Sequence, residues 1–355
     1  MRAMERELNM DRRAFMAGMS LVAGAAAIRR AHGQAPSIVP RQRLIIDNDF
    51  AGDPDGLFAL TQHMLCQSVD VRLIVGSHLH AHEAWSAATD QAAAAAAKAT
   101  ELLDLLGLRG RLSVLAGAER ALAATGKPPL TPAAEAIIRE ALRNDADVPL
   151  YYAAGAGLTD LATAWLNEPR IGRRLTLVWI GGPEYPGTAR PPGPREAEYN
   201  LTIDRRAVQV VFNQSDIDIW QVPRSSYRQM IVSYAELLAR VRPAGAVGEY
   251  LVGNVERVMQ MVASMPAKQR MNLGETYILG DSPLVTLTAL QSPFQPDPSS
   301  SQYVLRARPT IDDTGEYGKP AGGRPIRVYA RIDTRLTFED LYARLAAHAR
   351  ATATP

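Results

Sequence analysis

Four carboxylates fall within nine residues in the segment Asp47-Asn48-Asp49-Phe50-Ala51-Gly52-Asp53-Pro54-Asp55, directly after the aliphatic run Leu44-Ile45-Ile46. Like charges held this close repel one another and raise each other's proton affinity unless water or a cation screens them. The segment offers hard oxygen donors and no His or Cys, which suits calcium or magnesium better than zinc. Its spacing is not that of an EF-hand loop. Taken locally, two readings stand: a cation site, or a solvated acidic turn in which Asp53 or Asp55 caps the next helix. A second polar run, Ser77-His78-Leu79-His80-Ala81-His82, sets histidines at alternate positions. On an extended chain these share one face and could serve a metal; the other reading is loop imidazoles that pack or cap the following helix. The lone Cys66 allows neither an internal disulfide nor a multi-thiolate metal site, and reads as a small apolar core residue.

Side chains so placed need elements to hold them. Residues 43–47 read as a buried strand whose carboxyl end opens into the acidic loop, and 56–65 as the helix after it. Further strands are expected at 69–75, 112–115, 150–154, 175–180 and 326–332. Helices are expected at 83–106, 132–142, 158–166, across much of 227–265, and at 338–348. Strands alternating with helices imply βαβ units. The fold class is therefore α/β: a single domain over 43–350 with a mostly parallel, Rossmann-like open sheet flanked by helices. In such sheets ligands bind outside the carboxyl ends of the strands, where the acidic segment falls. Trp179 lies inside a strand pattern and reads as core, although Trp179 and Tyr185 are of a type that could stack on a base. Met259, Met261 and Met265 read as helix packing, and Gly181-Gly182 as a tight turn. The Pro- and Gly-rich residues 182–195 and the Pro- and Ser-rich 291–301 read as loops.

Several segments, in order, resemble nucleoside hydrolases of the inosine-uridine preferring family. Asp47-Asn-Asp49, followed by Asp53-Pro-Asp55, resembles the family's opening strand ending in Asp-x-Asp and its pair of acids. Ala153-Ala-Gly-Ala-Gly-Leu-Thr-Asp160 resembles a strand–Gly-Leu-Thr-Asn–helix element, and Leu177-Val-Trp-Ile-Gly-Gly182 a strand ending in two glycines. Glu198-Tyr-Asn200…Asp204 resembles a Glu-Phe-Asn…Asp segment, and Gly280-Asp281-Ser-Pro-Leu284 a His-Asp-Pro-Leu segment. The ordered matches run over about residues 43–290.

The resemblance implies hydrolysis of an N-glycosidic bond of a ribonucleoside or related ribosyl compound by a calcium-activated water, through an oxocarbenium-like state. Carried over residue by residue, Asp49 is the general base and a calcium ligand. Asp281 is a calcium ligand from far along the chain, and Gly155 falls where a backbone carbonyl meets the metal. Asp55 binds ribose hydroxyls, and Glu198 and Asn200 hold the 3′ and 5′ side of the sugar. Asp47 orients the loop. The chain also departs from the family. Gly56 stands where the second acid of the pair, a calcium ligand, is expected, and Asp53 is inserted ahead of it. Asp53 could supply the missing carboxylate, or Asp55 could turn to the metal. Gly280 replaces a histidine that assists the leaving group in some members. His78 stands near where an asparagine is expected, either contacting the leaving base or merely packing in the loop. Two other functions stay open: a ribosyl-binding relative with weak turnover, and a hydrolase of another glycoside.

Arg12-Arg13-Ala14-Phe15, a short apolar run and a second pair Arg29-Arg30 resemble a twin-arginine export signal over residues 1–33, with a linker at 34–42. The other reading is a basic amphipathic leader helix. Export of this kind implies a periplasmic or secreted enzyme. The apolar run is too short for a stable membrane anchor, and none is expected after its removal. The chain carries a formal charge of +2, and losing the six arginines and three acids of 1–33 leaves −1. Nothing in that balance points to nucleic acid. The expected partners are a small nucleoside or ribosyl substrate, calcium, and further copies of the chain in a homo-oligomer.

Overall fold

The computed structural model describes residues 38–80, 83, 86–188, 190–191, 196–265, 274–291, 300–320 and 322–353. The expected export signal, the start of the linker and His82 lie outside these residues. Among the described residues twelve strands form in chain order: β1 (Gln42–Asn48), β2 (Val69–Gly76), β3 (Val114–Ala116), β4 (Leu150–Ala154), β5 (Leu175–Ile180), β6 (Asp218–Val222), β7 (Ile231–Ser233), β8 (Thr276–Ile278), β9 (Gln302–Arg306), β10 (Pro309–Ile311), β11 (Tyr317–Pro320) and β12 (Ile326–Arg331). Eight of them make one sheet in the order β3-β2-β1-β4-β5-β6-β12-β9, while β7 pairs with β8 and β10 with β11. Every pairing in the large sheet is parallel except β12 with β9. The expected mostly parallel open sheet is what forms.

The sheet is covered on both faces, and this explains the unbroken apolar runs. Along β1, Leu44 and Ile46 join one core while Ile45 joins the other; along β5, Val178 and Ile180 face one way and Leu177 and Trp179 the other. The period of two in a strand produces this split. Trp179 is fully buried and its indole N–H donates to the Ala156 carbonyl at 3.0 Å. Tyr185 is buried too, bonding Gln221 at 2.7 Å and stacking on Tyr317. Cys66 is buried, and burial pushes its thiol up to about 12. Met259 and Met261 pack against the core. Among the described residues no helix is long and apolar enough to cross a membrane.

The helices that frame the site are α1 (Asp55–Leu65), α2 (Gln91–Leu105), α3 (Pro132–Ala141), α4 (Thr159–Asn167), α5 (Tyr199–Ile203) and α6 (Arg205–Gln209). Helix α2 begins at Gln91, later than the expected 83. The Gln91 side chain accepts from the Leu79 N–H and donates to the His80 carbonyl, and Glu119 accepts from the Ala92 and Ala93 N–H groups. First-turn donors that would otherwise be orphaned are thereby satisfied, which fixes the start there. The expected helix over much of 227–265 is also interrupted: β7 precedes a helical stretch, and a separate helix spans Gly245–Ser264.

The order of the strands sets the position of the site. From β1 the chain moves out to β2 and β3, then returns to the other side of β1 with β4. The crevice at such a reversal lies outside the carboxyl ends of the strands. There Asp47 is paired with Ala154, the Gly155 N–H donates to the Asp47 carbonyl at 3.0 Å and the Ser77 N–H to the Asn48 carbonyl at 2.9 Å.

Candidate functional site

At this crevice lies a cavity of about 200 Å³ lined by Asp49, Asp53, Asp55 and Asp281, together with Gly155, Asn200, Tyr199, Tyr227, Gly280 and Leu79. The four acids come from two places. Three follow β1 in the loop and first turn of α1, and Asp281 precedes the short helix Ser282–Val285. Asp49 and Asp281 are buried, while Asp53 and Asp55 are half-buried. Among the described residues no arginine or lysine lines the cavity, so there the acids meet no described cationic side chain.

The electrostatic consequence is consistent across the set. Burial, then the charges of Asp281 and Asp53, hold the Asp49 carboxyl well above the usual range. Burial, then Asp281, Asp53 and Asp49, do the same to Asp55. Burial lifts Asp53 to about 6 against the Tyr277 hydrogen bond, and lifts Asp281 to about 7 against that of Asn48. A raised folded-state value means that the folded chain binds these protons more tightly than the unfolded one. The associated stability is full below the ordinary carboxylate value of ~4 and is lost as pH rises through about 6 to 7. Near neutral pH the cluster therefore takes up either protons or a cation.

Hydrogen bonds fix each group. The Tyr277 hydroxyl donates to Asp53 at 2.8 Å, and the Gly56 N–H donates to Asp55 at 2.9 Å. The Asn48 amide donates to Asp281 at 2.7 Å, while its buried Oδ1 has no hydrogen-bond partner. An orphaned buried oxygen beside uncompensated carboxylates fits a hard cation. Yet among the described residues no group of three acidic, imidazole or thiol side chains is placed to hold a metal ion by itself. The donor set is thus an open one, in which water, backbone or substrate oxygens would complete a shell of six to eight ligands.

Two glycines permit this packing. A Cβ on Gly56 would lie 2.8 Å from the Asn48 amide, so a carboxylate at position 56 and the present Asn48 conformation exclude each other. A Cβ on Gly155 would lie 2.3 Å from Asn48 Nδ2 and 2.7 Å from Asp281 Oδ2. We expect Gly155→Ala to destabilise the fold by about 1–3 kcal/mol through this overpacking, read as a lowered melting temperature. An unchanged melt would mean that Asn48 and Asp281 are free to move apart.

The remaining expected site residues divide. Asn200 lines the cavity, its amide N–H groups donating to the Gly155 and Ile180 carbonyls at 3.0 and 2.8 Å, which leaves its oxygen as an acceptor. Glu198 lies one layer back. Fully buried, it accepts from the Gly182, Asn200 and Leu201 N–H groups and from the Tyr227 hydroxyl at 2.8 Å. His78 is buried and turned toward α4, bonded to the Leu79 carbonyl and Thr159 Oγ1, and does not line the cavity. His80 meets Thr202 Oγ1 at 3.1 Å and stands edge-on to Tyr199. Asp47 is tied to the Ser77 and Tyr152 hydroxyls, which anchors the end of β1. Asn48, Tyr227 and Tyr277 were not singled out from the sequence. Asn48 sits between two acids in the very motif that drew attention, whereas the tyrosines carry no local signal.

A family model described as inosine-uridine preferring nucleoside hydrolase matches residues 44–334. No protein with a curated description matches in sequence. Among solved structures, a purine-preferring ribonucleoside hydrolase from Gardnerella vaginalis is similar at a TM-score of 0.63 and 17% identity, over 87% of this chain and 99% of its own. An inosine-uridine preferring nucleoside hydrolase from Bacillus anthracis gives 0.59 and 17%, over 87% and 99%. The type III effector protein XopQ, complexed with adenosine diphosphate ribose, gives 0.59 and 17%, over 88% and 94%. At these identities the likeness is one of fold.

Proposed function

Since one family model spans residues 44–334, the chain belongs to the inosine-uridine preferring nucleoside hydrolases, hydrolases of N-glycosidic bonds, and we propose that it frees ribose from a ribonucleoside or related ribosyl compound with the help of a calcium ion. The observation that carries this reading is the acid-lined cavity at the carboxyl end of β1, with no basic side chain among the described residues to neutralise it. Asp49 and Asp281 would hold the ion, joined by Asp53 or Asp55, the Gly155 carbonyl and the Asn48 oxygen orphaned where Gly56 lacks an acid. Such an ion lowers the pKa of its water and makes a nucleophile available near neutral pH.

The chain's own residues do the rest. Asp49 accepts the proton of the attacking water at its carboxylate, a role that requires it ionised and so depends on the neighbouring charge being balanced. Asp55 and the Asn200 oxygen accept hydrogen bonds from ribose hydroxyls. As the glycosidic bond lengthens, positive charge grows on the sugar, and the fixed carboxylates stabilise it in a partly dry cavity. Glu198 acts at one remove, holding Tyr227 and the backbone under Asn200. Among the described residues no histidine lines the cavity, and a side chain at Gly280 would be pressed 3.2 Å from Asp55. The leaving group thus receives no imidazole proton from that position.

The test is release of free ribose from inosine, uridine and p-nitrophenyl riboside, in calcium and in excess chelator. We expect turnover that chelator abolishes, fastest with p-nitrophenyl riboside because its leaving group departs without protonation. Calcium-independent turnover would overturn the role of the ion. Tight ribose binding without release from any of the three would mark a ribosyl-binding relative instead. We further propose export of the mature chain by its twin-arginine segment, tested by its presence in a periplasmic fraction and its retention when Arg12 and Arg13 are both changed to lysine.

A further inference from the structure

A second and larger cavity, about 430 Å³, lies away from the acid cluster, between the loop that follows β3 and the helices α4 and α6. Its volume falls in the range of small-molecule sites. The walls are apolar: Leu122, Leu166 and Pro128 contribute to them. Three cationic side chains, Arg120, Lys127 and Arg206, also line it, and none of the three forms an ion pair with a carboxylate among the described residues. Lys127 donates to the Asn167 carbonyl, at 3.4 Å. The nearby Glu168 feels the charge of Lys127 but gives both of its oxygens to Arg170, at 2.8 and 2.7 Å.

One acid, Glu119, lines the cavity, but both its oxygens accept backbone N–H groups at the start of α2 at 2.9 Å. Thr131, which caps the N-terminus of α3, lines it as well and brings the positive end of that helix dipole to the same place. Behind the wall the carboxylates of Asp160 and Asp204 are bonded to Ala118, Thr131 and Leu122, so three lining cations face one lining acid over a partly apolar floor.

We propose that this cavity binds a small organic phosphate, an apolar or aromatic body bearing one phosphomonoester. A dianion matches the excess of positive charge, arginine forks suit its oxygens, and the apolar wall takes the body. The site is separate from the ribosyl cavity, whose carboxylates would repel the same ligand. It does not rest on the proposed reaction.

The probe is phenyl phosphate, titrated calorimetrically into the full chain, with inorganic phosphate, phenol and benzoate as the other arms. Phenyl phosphate is expected to bind at a single site, with each of the others roughly 10-fold or more weaker, since each lacks the apolar body, the charge or the second negative charge. Arg206→Ala should weaken it by roughly 10-fold or more. Thr125→Glu, in the exposed loop lining the cavity, should do likewise through charge alone and without risk to the fold. Ribose should not compete, and ribose release should be unchanged in both variants. Absence of binding, binding indifferent to both substitutions, or displacement by ribose would overturn the proposal.

Discussion

Replacing Asp49 by asparagine should slow ribose release by at least roughly 10²–10⁴-fold, the range for loss of a general base. The substitution keeps the shape of a buried side chain and an oxygen that can still face a cation, but removes the group that accepts the proton. It also replaces a carboxyl that burial, Asp281 and Asp53 hold well above its usual range by a group that is neutral without taking up a proton. The metal-free variant should therefore melt at a higher temperature than the wild type near neutral pH. Paired loss of kcat and gain of stability separates a chemical role from general damage. Full activity in Asp49→Asn would remove this residue from the mechanism, and a fall in melting temperature would contradict the repulsion within the cluster.

Glu198→Ala should cost roughly 3 kcal/mol or more in stability, because it leaves several buried donors without an acceptor. The carboxylate serves the Gly182, Asn200 and Leu201 N–H groups and the Tyr227 hydroxyl together. Denaturant unfolding measures the loss. Glu198→Gln retains one acceptor oxygen and should recover part of the stability. If either variant raised the KM for ribosyl substrates while melting like the wild type, Glu198 would touch the sugar directly, as the resemblance implies, and its position behind Tyr227 would not describe the working enzyme.

These two residues mark what could be read from the sequence. The cluster from Asp47 to Asp55 was legible because its members lie side by side after an apolar strand, and charge repulsion is a local property. Asp281 is 233 residues beyond Asn48, the partner it bonds, and only the resemblance linked it to the loop. Glu198 had the right residue type in the right motif, but type does not reveal direction: the chain turns its carboxylate onto backbone N–H groups at the start of α5. His78 likewise sits at the end of β2 as expected, with its ring directed to Thr159 rather than the cavity. Asn48 escaped notice among stronger charges, although the space left by Gly56 is what allows its amide to meet Asp281. In the fold, the long buried strands β1, β4 and β5 were plain from aliphatic runs. Strands β7, β8 and β10, three residues each, are too short to show a period, and the mostly exposed β9 carries only the short run Tyr303-Val304-Leu305.

The central claim is that uncompensated carboxylates at the switch point of the sheet are neutralised by a divalent cation. Titrating calcium into the metal-free chain at about pH 7, in two buffers of different ionisation enthalpy, tests it directly, because deprotonation of the ligands must accompany binding. The proposal predicts a single ion per chain, bound with release of protons from the cluster. Asp281→Asn should bind it far more weakly, and calcium should raise the melting temperature by about 5 °C at 100-fold excess over Kd. Absence of calcium binding, or binding with no proton released and no dependence on Asp281, would contradict the account.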